Sequence, residues 1–172
     1  MNMAKSFYDE IIERRIELAP IHDKIIPDGP HKKQRIISVE SMKQQVFDYV
    51  AVELLEDVFN RSFGYYQCAS IKGKGQICAK EAIESWVQHD QENTKWFIKT
   101  DIVNYFHSVS HVLLKNMLFG HVKSENTKYL VSKLLSTYTQ GLSIGSYLSQ
   151  YLANYFVSDI YHFMSEKNDT CR

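Results

Sequence analysis

The residue with the clearest potential for chemistry is Asp101, which directly follows the run Lys95-Trp96-Phe97-Ile98-Lys99-Thr100. This composition predicts a buried strand, which would deliver the Asp101 carboxylate at its C-terminal end. A carboxylate in that position can serve a catalytic site, or it can accept hydrogen bonds from the backbone N–H groups of the next turn. The strand and the carboxylate alone leave both readings open.

A second chemical feature is the positive charge between residues 61 and 80, a stretch that contains no acidic residue. Tyrosine and phenylalanine side chains are interleaved with its basic residues, and Gly73-Lys74-Gly75 predicts a kink. Basic patches of this kind are typical of nucleic-acid-binding surfaces. With three residues from upstream, the predicted nucleic-acid-facing side chains are Lys32, Lys33, Arg35, Arg61, Lys72 and Lys74.

Asp101 also begins one of four short blocks whose order along the chain is informative. These blocks are His31 to Ile37, Glu53 to Gly75, Asp101-Ile102-Val103-Asn104-Tyr105-Phe106, and Gly141 to Asn154. In this order they resemble the basic fingers strand, the rest of the fingers and the first two palm motifs of reverse transcriptases. The resemblance implies a helix-rich α+β fold of right-hand polymerase type, in an RNA-directed DNA polymerase of a bacterial retroelement, phage or defence locus.

The resemblance also implies a reaction. Polymerisation is phosphoryl transfer, and such sites hold two divalent ions about 3.5–4 Å apart between carboxylates. By the resemblance, Asp101 is the catalytic carboxylate, and Asp101 and the backbone carbonyl of Ile102 bind Mg²⁺, with Mn²⁺ as an alternative. The implied partners are an RNA template, a DNA primer and deoxyribonucleoside triphosphates.

Several nucleotide-binding residues follow from the same resemblance. Phe106 occupies the position of an aromatic steric gate against a 2′-hydroxyl, and an ordinary core ring is the alternative. Lys33 and Arg35 lie on one face of the predicted strand, where they can contact triphosphate oxygens or form a solvated charged face. Gly145 lets the backbone approach a nucleotide closely, beside the positive N-terminal end of the helix that begins near Ser146.

The second palm block departs from the commonest family pattern at two positions. Ile144 stands where Gln is usual, and Gln150 stands where Pro is usual. The resulting Ile-Gly-x-x-x-Ser-Gln form resembles diversity-generating retroelement enzymes and related bacterial reverse transcriptases, in which loss of the Gln accompanies relaxed fidelity. We count both residues among the predicted nucleotide contacts.

The third palm motif of the family, an aromatic-x-Asp-Asp hairpin, does not occur, because the 172 residues contain no Asp-Asp dipeptide. We therefore expect a palm truncated before that hairpin and inactive in isolation. The strand predicted at residues 95–100 would then present an open edge to a second chain or to another copy of this one.

Periodicity predicts the elements that position these residues. Proline clustering makes residues 20–30 an irregular segment, and apolar spacing places two helices with defined inner faces. The first, from Ser41 to about Asn60, has the row Met42, Val46, Val50, Leu54 and Val58, and the second, at 76–89, has Ile77, Ala82, Ile83, Trp86 and Val87 inward. The remaining predicted elements are helices at 4–18, 111–118, 124–139 and 146–167 and a strand at 35–39.

These elements divide into an N-terminal helix and proline-containing connector at 1–30, fingers at 31–94 and a partial palm at 95–172. With 20 basic and 20 acidic residues and 44% apolar residues, the chain is expected to be a soluble globular protein rather than a disordered one or a polyelectrolyte. Cys68, Cys78 and Cys171 have no C-x-x-C spacing, so we expect free thiols and no zinc site. No apolar run reaches the ~18 residues of a membrane span, and we expect a cytoplasmic protein without membrane contact.

Two other readings of the chain are kept. The first is a non-catalytic nucleic-acid-binding or scaffolding protein that retains a degenerate reverse-transcriptase fold. The second is a helical interaction protein unrelated to polymerases, which requires the four ordered blocks to be coincidence.

Overall fold

The computed structural model describes residues 3–28 and 33–167. In these residues the chain forms α1 (Met3–Ile12), β1 (His22–Asp28), β2 (Lys33–Val39), α2 (Met42–Ser62), α3 (Gln76–His89), α4 (Tyr105–Ser108), α5 (His111–Phe119), α6 (Glu125–Leu135), α7 (Tyr147–Phe156) and α8 (Ser158–Lys167). The helix-rich α+β class is confirmed. No helix in the described part of the chain is long and apolar enough to cross a membrane.

Helix α2 is the centre of the core and packs against α6 and α7. Its buried residues are Gln44, Phe47, Asp48, Ala51, Val52, Leu55, Val58 and Phe59. The predicted inner row was therefore wrong, since Met42 is 78% exposed and Leu54 53% exposed. Four residues exceed one helical turn of 3.6 residues, so a long i+4 row drifts around the helix and leaves the core.

The stretch from residue 20 to residue 30, predicted to be irregular, contains a strand instead. β1 pairs antiparallel with β2, with Ile25 opposite Ile36 and Pro27 opposite Gln34. Proline lacks an N–H, but it is tolerated on an edge strand, and both strands of a two-stranded sheet are edges. The strand predicted at 35–39 is confirmed within β2.

Helix α1 ends at Ile12, six residues before the predicted end at residue 18. Arg14 has a left-handed backbone with φ +54°, which stops the helix. Ile16 is nevertheless only 2% exposed, and its N–H donates to the Tyr129 hydroxyl at 3.1 Å. The apolar spacing therefore identified a core residue but extended the helix too far.

Helix α3 has the predicted range, but the prediction of its inward face was wrong. The structure buries none of its residues, and Ile77 is 73% exposed. Trp86 makes an edge contact with Tyr66, with ring centroids 4.6 Å apart. An amphipathic pattern predicts that a segment is helical, but it does not predict which other element, if any, packs against its apolar face.

Residues 95–100 do not form the predicted strand. Trp96, Phe97 and Ile98 are each about 90% exposed. A strand needs a hydrogen-bonded neighbour, and no segment among the described residues pairs with this one. The run is an exposed, apolar stretch of chain without regular secondary structure.

The C-terminal half contains three predicted helix starts that the structure confirms. Ser110, Ser124 and Ser146 each accept a hydrogen bond from a backbone N–H in the first turn of α5, α6 and α7. The predicted ends were less accurate, because α6 stops at Leu135 and the long helix divides between Phe156 and Ser158. Serine caps mark where helices begin, whereas the apolar spacing continued past both ends.

Candidate functional site

The segment from Gly141 to Ser146, which we call the glycine turn, directly precedes α7 and is the centre of the candidate site. Gly141 and Gly145 have φ values of +68° and +121°, a region that side chains with a Cβ rarely adopt. The Ser143 N–H donates to Ser149 Oγ at 3.2 Å, and the Ser149 N–H donates to Ser146 Oγ at 3.1 Å. These bonds fix the turn against the first turn of α7.

The glycine turn contacts the segment that carries Phe106. The Leu142 N–H donates to the Phe106 carbonyl at 2.7 Å, and a ring nitrogen of His111 lies 2.5 Å from the Gly141 carbonyl. A Cβ added to Gly141 would lie 2.4 Å from the Phe106 carbonyl oxygen. The first and second palm-like blocks, about 35 residues apart in sequence, are therefore in direct backbone contact.

The other side of the glycine turn contacts β2. The Ser38 N–H donates to the Ile144 carbonyl at 3.3 Å, and a Cβ on Gly145 would lie 3.3 Å from the Ser38 carbonyl oxygen. Both palm-like blocks and β2 thus meet around the glycine turn. Their meeting is a property of the fold that sequence order alone does not establish.

A buried carboxyl group, Asp48 on α2, lies beneath the turn. Asp48 Oδ2 accepts hydrogen bonds from Ser146 Oγ at 2.5 Å and from the Leu148 N–H at 3.3 Å. Burial raises the pKa of Asp48 to about 7, and repulsion from Glu40 adds to this, whereas the bonds from Ser146 and Leu148 oppose it. The sequence predicts that the N-terminal end of α7 faces a nucleotide. In the structure the Leu148 N–H at this end is already paired with the Asp48 carboxyl group.

Glu40 belongs to the same buried network. The Tyr138 hydroxyl donates to Glu40 Oε1, and the Gln44 side-chain amide donates to the same oxygen at 3.1 Å. Burial is the main cause that raises the pKa of Tyr138, followed by its bond to Glu40. This network connects α2, the chain after α6 and the start of α7 beneath the glycine turn.

A cavity of about 340 Å³ opens beside the turn and contains two of the predicted nucleotide contacts. It is lined by Glu40, Gln45, Tyr49, Gly145, Ser146, Tyr147 and Gln150. The rings of Tyr49 and Tyr147 are stacked with centroids 4.2 Å apart. The cavity therefore combines hydrogen-bonding groups, stacked aromatic rings and the exposed backbone of Gly145.

The other residues predicted around the nucleotide occupy varied places. Ile144 is half-buried and joins the turn to β2 through its carbonyl. Phe106 is half-buried and packs against the core cluster, 5.8 Å from the Tyr105 ring. Lys33 and Arg35 lie on β2, of which the structure describes only the backbone at these positions, and Lys32 falls outside the described residues.

Asp101 and Ile102, the predicted Mg²⁺ ligands, are exposed and precede α4. The part of the chain that the structure describes contains no group of three or more His, Cys, Asp or Glu side chains that could hold a metal ion. One exposed carboxylate and one carbonyl do not fit a two-ion site, which needs several acidic oxygens. We therefore derive no metal-dependent step from these residues.

The basic residues of the 61–80 segment differ in their availability. Lys72 is exposed, whereas the Lys74 ammonium donates to the carbonyls of Gly64 and Tyr65 at 3.1 and 2.7 Å. Arg61 uses its Nε–H for the Asp57 carbonyl at 2.9 Å, although its side chain is exposed. Lys72 is therefore the side chain here with the freest approach to a phosphate.

Sequence reasoning missed the residues that support the turn: Glu40, Asp48, Tyr138 and His111. Asp48 lies between the core residues Phe47 and Ala51 on α2. A charged residue on the buried face of a helix is unusual and could have identified Asp48. That signal requires a correct prediction of which face of α2 is buried.

No family model matches the chain. The chain is 26% identical over 144 residues to the COX1/OXI3 intron 2 protein of Saccharomyces cerevisiae, an alignment that covers 77% of this chain. It spans 16% of the length of that relative. The chain is thus similar, at low identity, to part of an intron protein.

Proposed function

We propose that this chain forms the fingers and part of the palm of an RNA-directed DNA polymerase, and that alone it binds nucleic acid without extending a primer. The observation that carries the proposal is that the glycine turn contacts both Phe106, the last residue of the Asp101-to-Phe106 block, and Ser38, which directly follows the His31-to-Ile37 block on β2. Leu142 bonds to Phe106, and Ile144 bonds to Ser38. Contact between segments that resemble polymerase motifs supports the proposal.

The chemistry around the turn supports a nucleotide as the ligand. Gly145 exposes backbone at the mouth of the cavity, and Gln150 and Gln45 carry side-chain amide groups that can hydrogen-bond to a sugar or a base. The stacked pair Tyr49 and Tyr147 provides an aromatic wall on the same cavity. The similarity to an intron protein is a further, independent support.

We propose that catalysis needs more carboxylate groups around Asp101 than the described residues provide. Asp101 is the carboxylate that the family resemblance assigns to the reaction, but it is exposed, and residues 3–28 and 33–167 contain no group of three or more His, Cys, Asp or Glu side chains that could hold a metal ion. Negative charge on a transferring phosphoryl group has to be balanced in the transition state. We therefore expect binding and chemistry to be separable in this chain.

The experiment is a gel-shift and extension assay with the 172-residue protein, an RNA template annealed to a DNA primer, deoxyribonucleoside triphosphates and either Mg²⁺ or Mn²⁺. We expect a retarded complex and a primer of unchanged length. Primer extension would show that the palm is complete in this chain. The absence of a retarded complex would contradict nucleic-acid binding itself.

A non-catalytic nucleic-acid-binding protein with the same fold is the second candidate function. The exposure of Asp101 and Ile102 favours it, because one exposed carboxylate and one carbonyl do not by themselves form a two-ion site. The two candidates differ in what happens when a chain carrying an aromatic-x-Asp-Asp hairpin and a thumb after residue 172 is assayed. Extension by that longer chain supports the polymerase, and binding without extension supports the non-catalytic protein.

A further inference from the structure

Cys68 and Cys78 lie side by side although ten residues separate them in sequence. Their sulfur atoms are 3.7 Å apart, and both thiols are free. Cys68 is 8% exposed, whereas Cys78 is half-buried. A disulfide bond is about 2.05 Å long, so the two sulfur atoms, now 3.7 Å apart, have to approach each other by roughly 1.7 Å.

The two cysteines stand on parts of the molecule with different anchoring. The chain around Cys68 is tied to α7, because the Gln67 side chain donates to the Asn154 carbonyl at 3.0 Å and the Asn154 side chain donates to the Ala69 carbonyl at 2.8 Å. Cys78 lies in the first turn of α3, a helix without a buried residue. A covalent link between the thiols would join an anchored loop to a loosely held helix.

The segment between the cysteines carries the basic residues Lys72 and Lys74. Gly73 and Gly75 have φ values of +77° and +140°, and neither glycine has a neighbouring atom within 4 Å of a built Cβ. The backbone of both glycines is surrounded by open space. Both also have a positive φ, which a residue with a side chain would rarely adopt. A ring closed at residues 68 and 78 would limit the conformations of the basic segment.

We propose that Cys68 and Cys78 are a redox pair, in which a peroxide converts the two thiols into a reversible disulfide. The Cys78 thiolate attacks one oxygen of hydrogen peroxide, the O–O bond breaks, and Cys78 sulfenic acid and hydroxide form. The Cys68 thiolate then attacks the sulfenic sulfur, the S–S bond forms, and a second hydroxide leaves. The two protons released by the thiols convert the hydroxides to water, so the peroxide is reduced by two electrons and the thiols are oxidised by two.

The order of the two steps follows from exposure. Cys78 is the more accessible thiol and reacts first, whereas buried Cys68 is positioned to resolve the sulfenic acid. The pKa of Cys78 is raised, first by the bond to Cys68 and then by burial and by Glu81, whereas Lys74 opposes the rise. Oxidation should therefore accelerate as pH rises, because the thiolate is the nucleophile.

The test is oxidation of the purified 172-residue protein with equimolar hydrogen peroxide, in a Cys171→Ser background that leaves only the two thiols in question. We expect loss of both free thiols and a mass decrease of two hydrogen atoms. A proteolytic digest analysed without reductant should contain one disulfide-linked species, which joins residues 68 and 78. Dithiothreitol should restore both thiols and the original mass. Cys68→Ser in the same background serves as the matched control and should instead accumulate a stable Cys78 sulfenic acid that dimedone traps.

Hydrogen exchange provides a second readout that does not involve nucleic acid. Oxidation should slow exchange at the amides of α3, and the control lacking Cys68 should show no such slowing. Sulfinic acid at Cys78 without a link, or a disulfide-linked dimer as the main product, would overturn the proposal. These outcomes leave the polymerase proposal untouched, because the assay measures neither binding nor extension.

Discussion

At the scale of single residues, the buried carboxyl of Asp48 is the most consequential feature of the site. It accepts bonds from Ser146 and from the backbone of Leu148, and it lies next to a second acidic side chain, Glu40. A buried carboxyl group with these neighbours stabilises the turn best when it carries its proton, because burial disfavours the charged form. The glycine turn is therefore predicted to be sensitive to pH.

Replacement of Asp48 tests this sensitivity. The pKa rises from an ordinary 3.8 to about 7 in the folded protein, so the folded state binds a proton that the unfolded state has lost between those pH values. The free energy of unfolding should therefore fall as pH rises through that window, by on the order of 4 kcal/mol for the full shift. Asp48→Asn keeps an acceptor oxygen for Ser146 and Leu148 but cannot ionise, and it should flatten this dependence.

Urea unfolding from pH 4.5 to 8.5 measures the effect. Asp48→Ala is the control, because it removes the acceptor and should lower stability by about 1 kcal/mol even at acidic pH. Parallel pH curves for the wild type and Asp48→Asn would contradict the account of the buried carboxyl.

Phe106 carries the second prediction at this scale. If its ring lies below the sugar of a bound nucleotide, Phe106→Ala should reduce the preference for a deoxyribonucleotide over a ribonucleotide by about tenfold, because loss of a steric contact is worth ~1–3 kcal/mol. Competition between dATP and ATP for the protein–hybrid complex measures that preference. Phe119→Ala is a matched control, since Phe119 also packs partly buried against the core. An unchanged preference with equal losses of stability in the two variants would assign Phe106 to the core alone.

At the scale of elements, the glycine turn depends on one close approach. Gly141→Ala should destabilise the protein by about 3 kcal/mol, because the added Cβ meets the Phe106 carbonyl oxygen at 2.4 Å and the backbone of His107 at 2.6 Å. Gly73→Ala is the control, since Gly73 also has a positive φ but lies in open space, and should cost about 1 kcal/mol. Equal losses of unfolding free energy in the two variants would show that the Phe106 contact is not made.

Elements also differ in how well the sequence predicts them. The serine caps at 110, 124 and 146 and the range of α3 were predictable, because caps and periodicity are local properties of the chain. The inner face of α2 and the strand predicted at 95–100 were not, because they depend on which surface packs against them. The clustered prolines favoured an irregular segment at 20–30, but the structure forms β1 there, because an edge strand tolerates proline.

Helix α3 supplies an element-scale prediction. None of its residues is buried, whereas α2 carries the centre of the core. Amides of α3 should therefore exchange with solvent far faster than those of α2, by about 100-fold or more, because local opening exposes little apolar surface. Hydrogen-exchange mass spectrometry compares the two helices in one sample. Similar protection in both would mean that a partner surface covers α3 in solution.

At the scale of the whole molecule, we propose that the basic segment at 61–80, β2 and the glycine turn contribute to one nucleic-acid-binding surface. The sequence predicted two residues of the cavity, Gly145 and Gln150, from their resemblance to a known motif. It did not predict Tyr49 or Glu40, which lie about a hundred residues earlier and reach the cavity only through the packing of α2 on α7. Long-range packing is the information that single-sequence patterns lack.

The most direct test of the central claim is the salt dependence of binding to an RNA–DNA hybrid, measured by filter binding with the 172-residue protein. We expect affinity to fall steeply as salt rises, because phosphate contacts release counterions. Lys72→Ala should reduce the slope of log affinity against log salt by roughly 0.7–0.9, the value of one phosphate contact. Lys123→Ala, which removes an exposed lysine outside the basic segment, should leave the slope unchanged. A nearly flat slope for the wild type, or equal slopes for the wild type and Lys72→Ala, would contradict the claim that this surface binds nucleic acid.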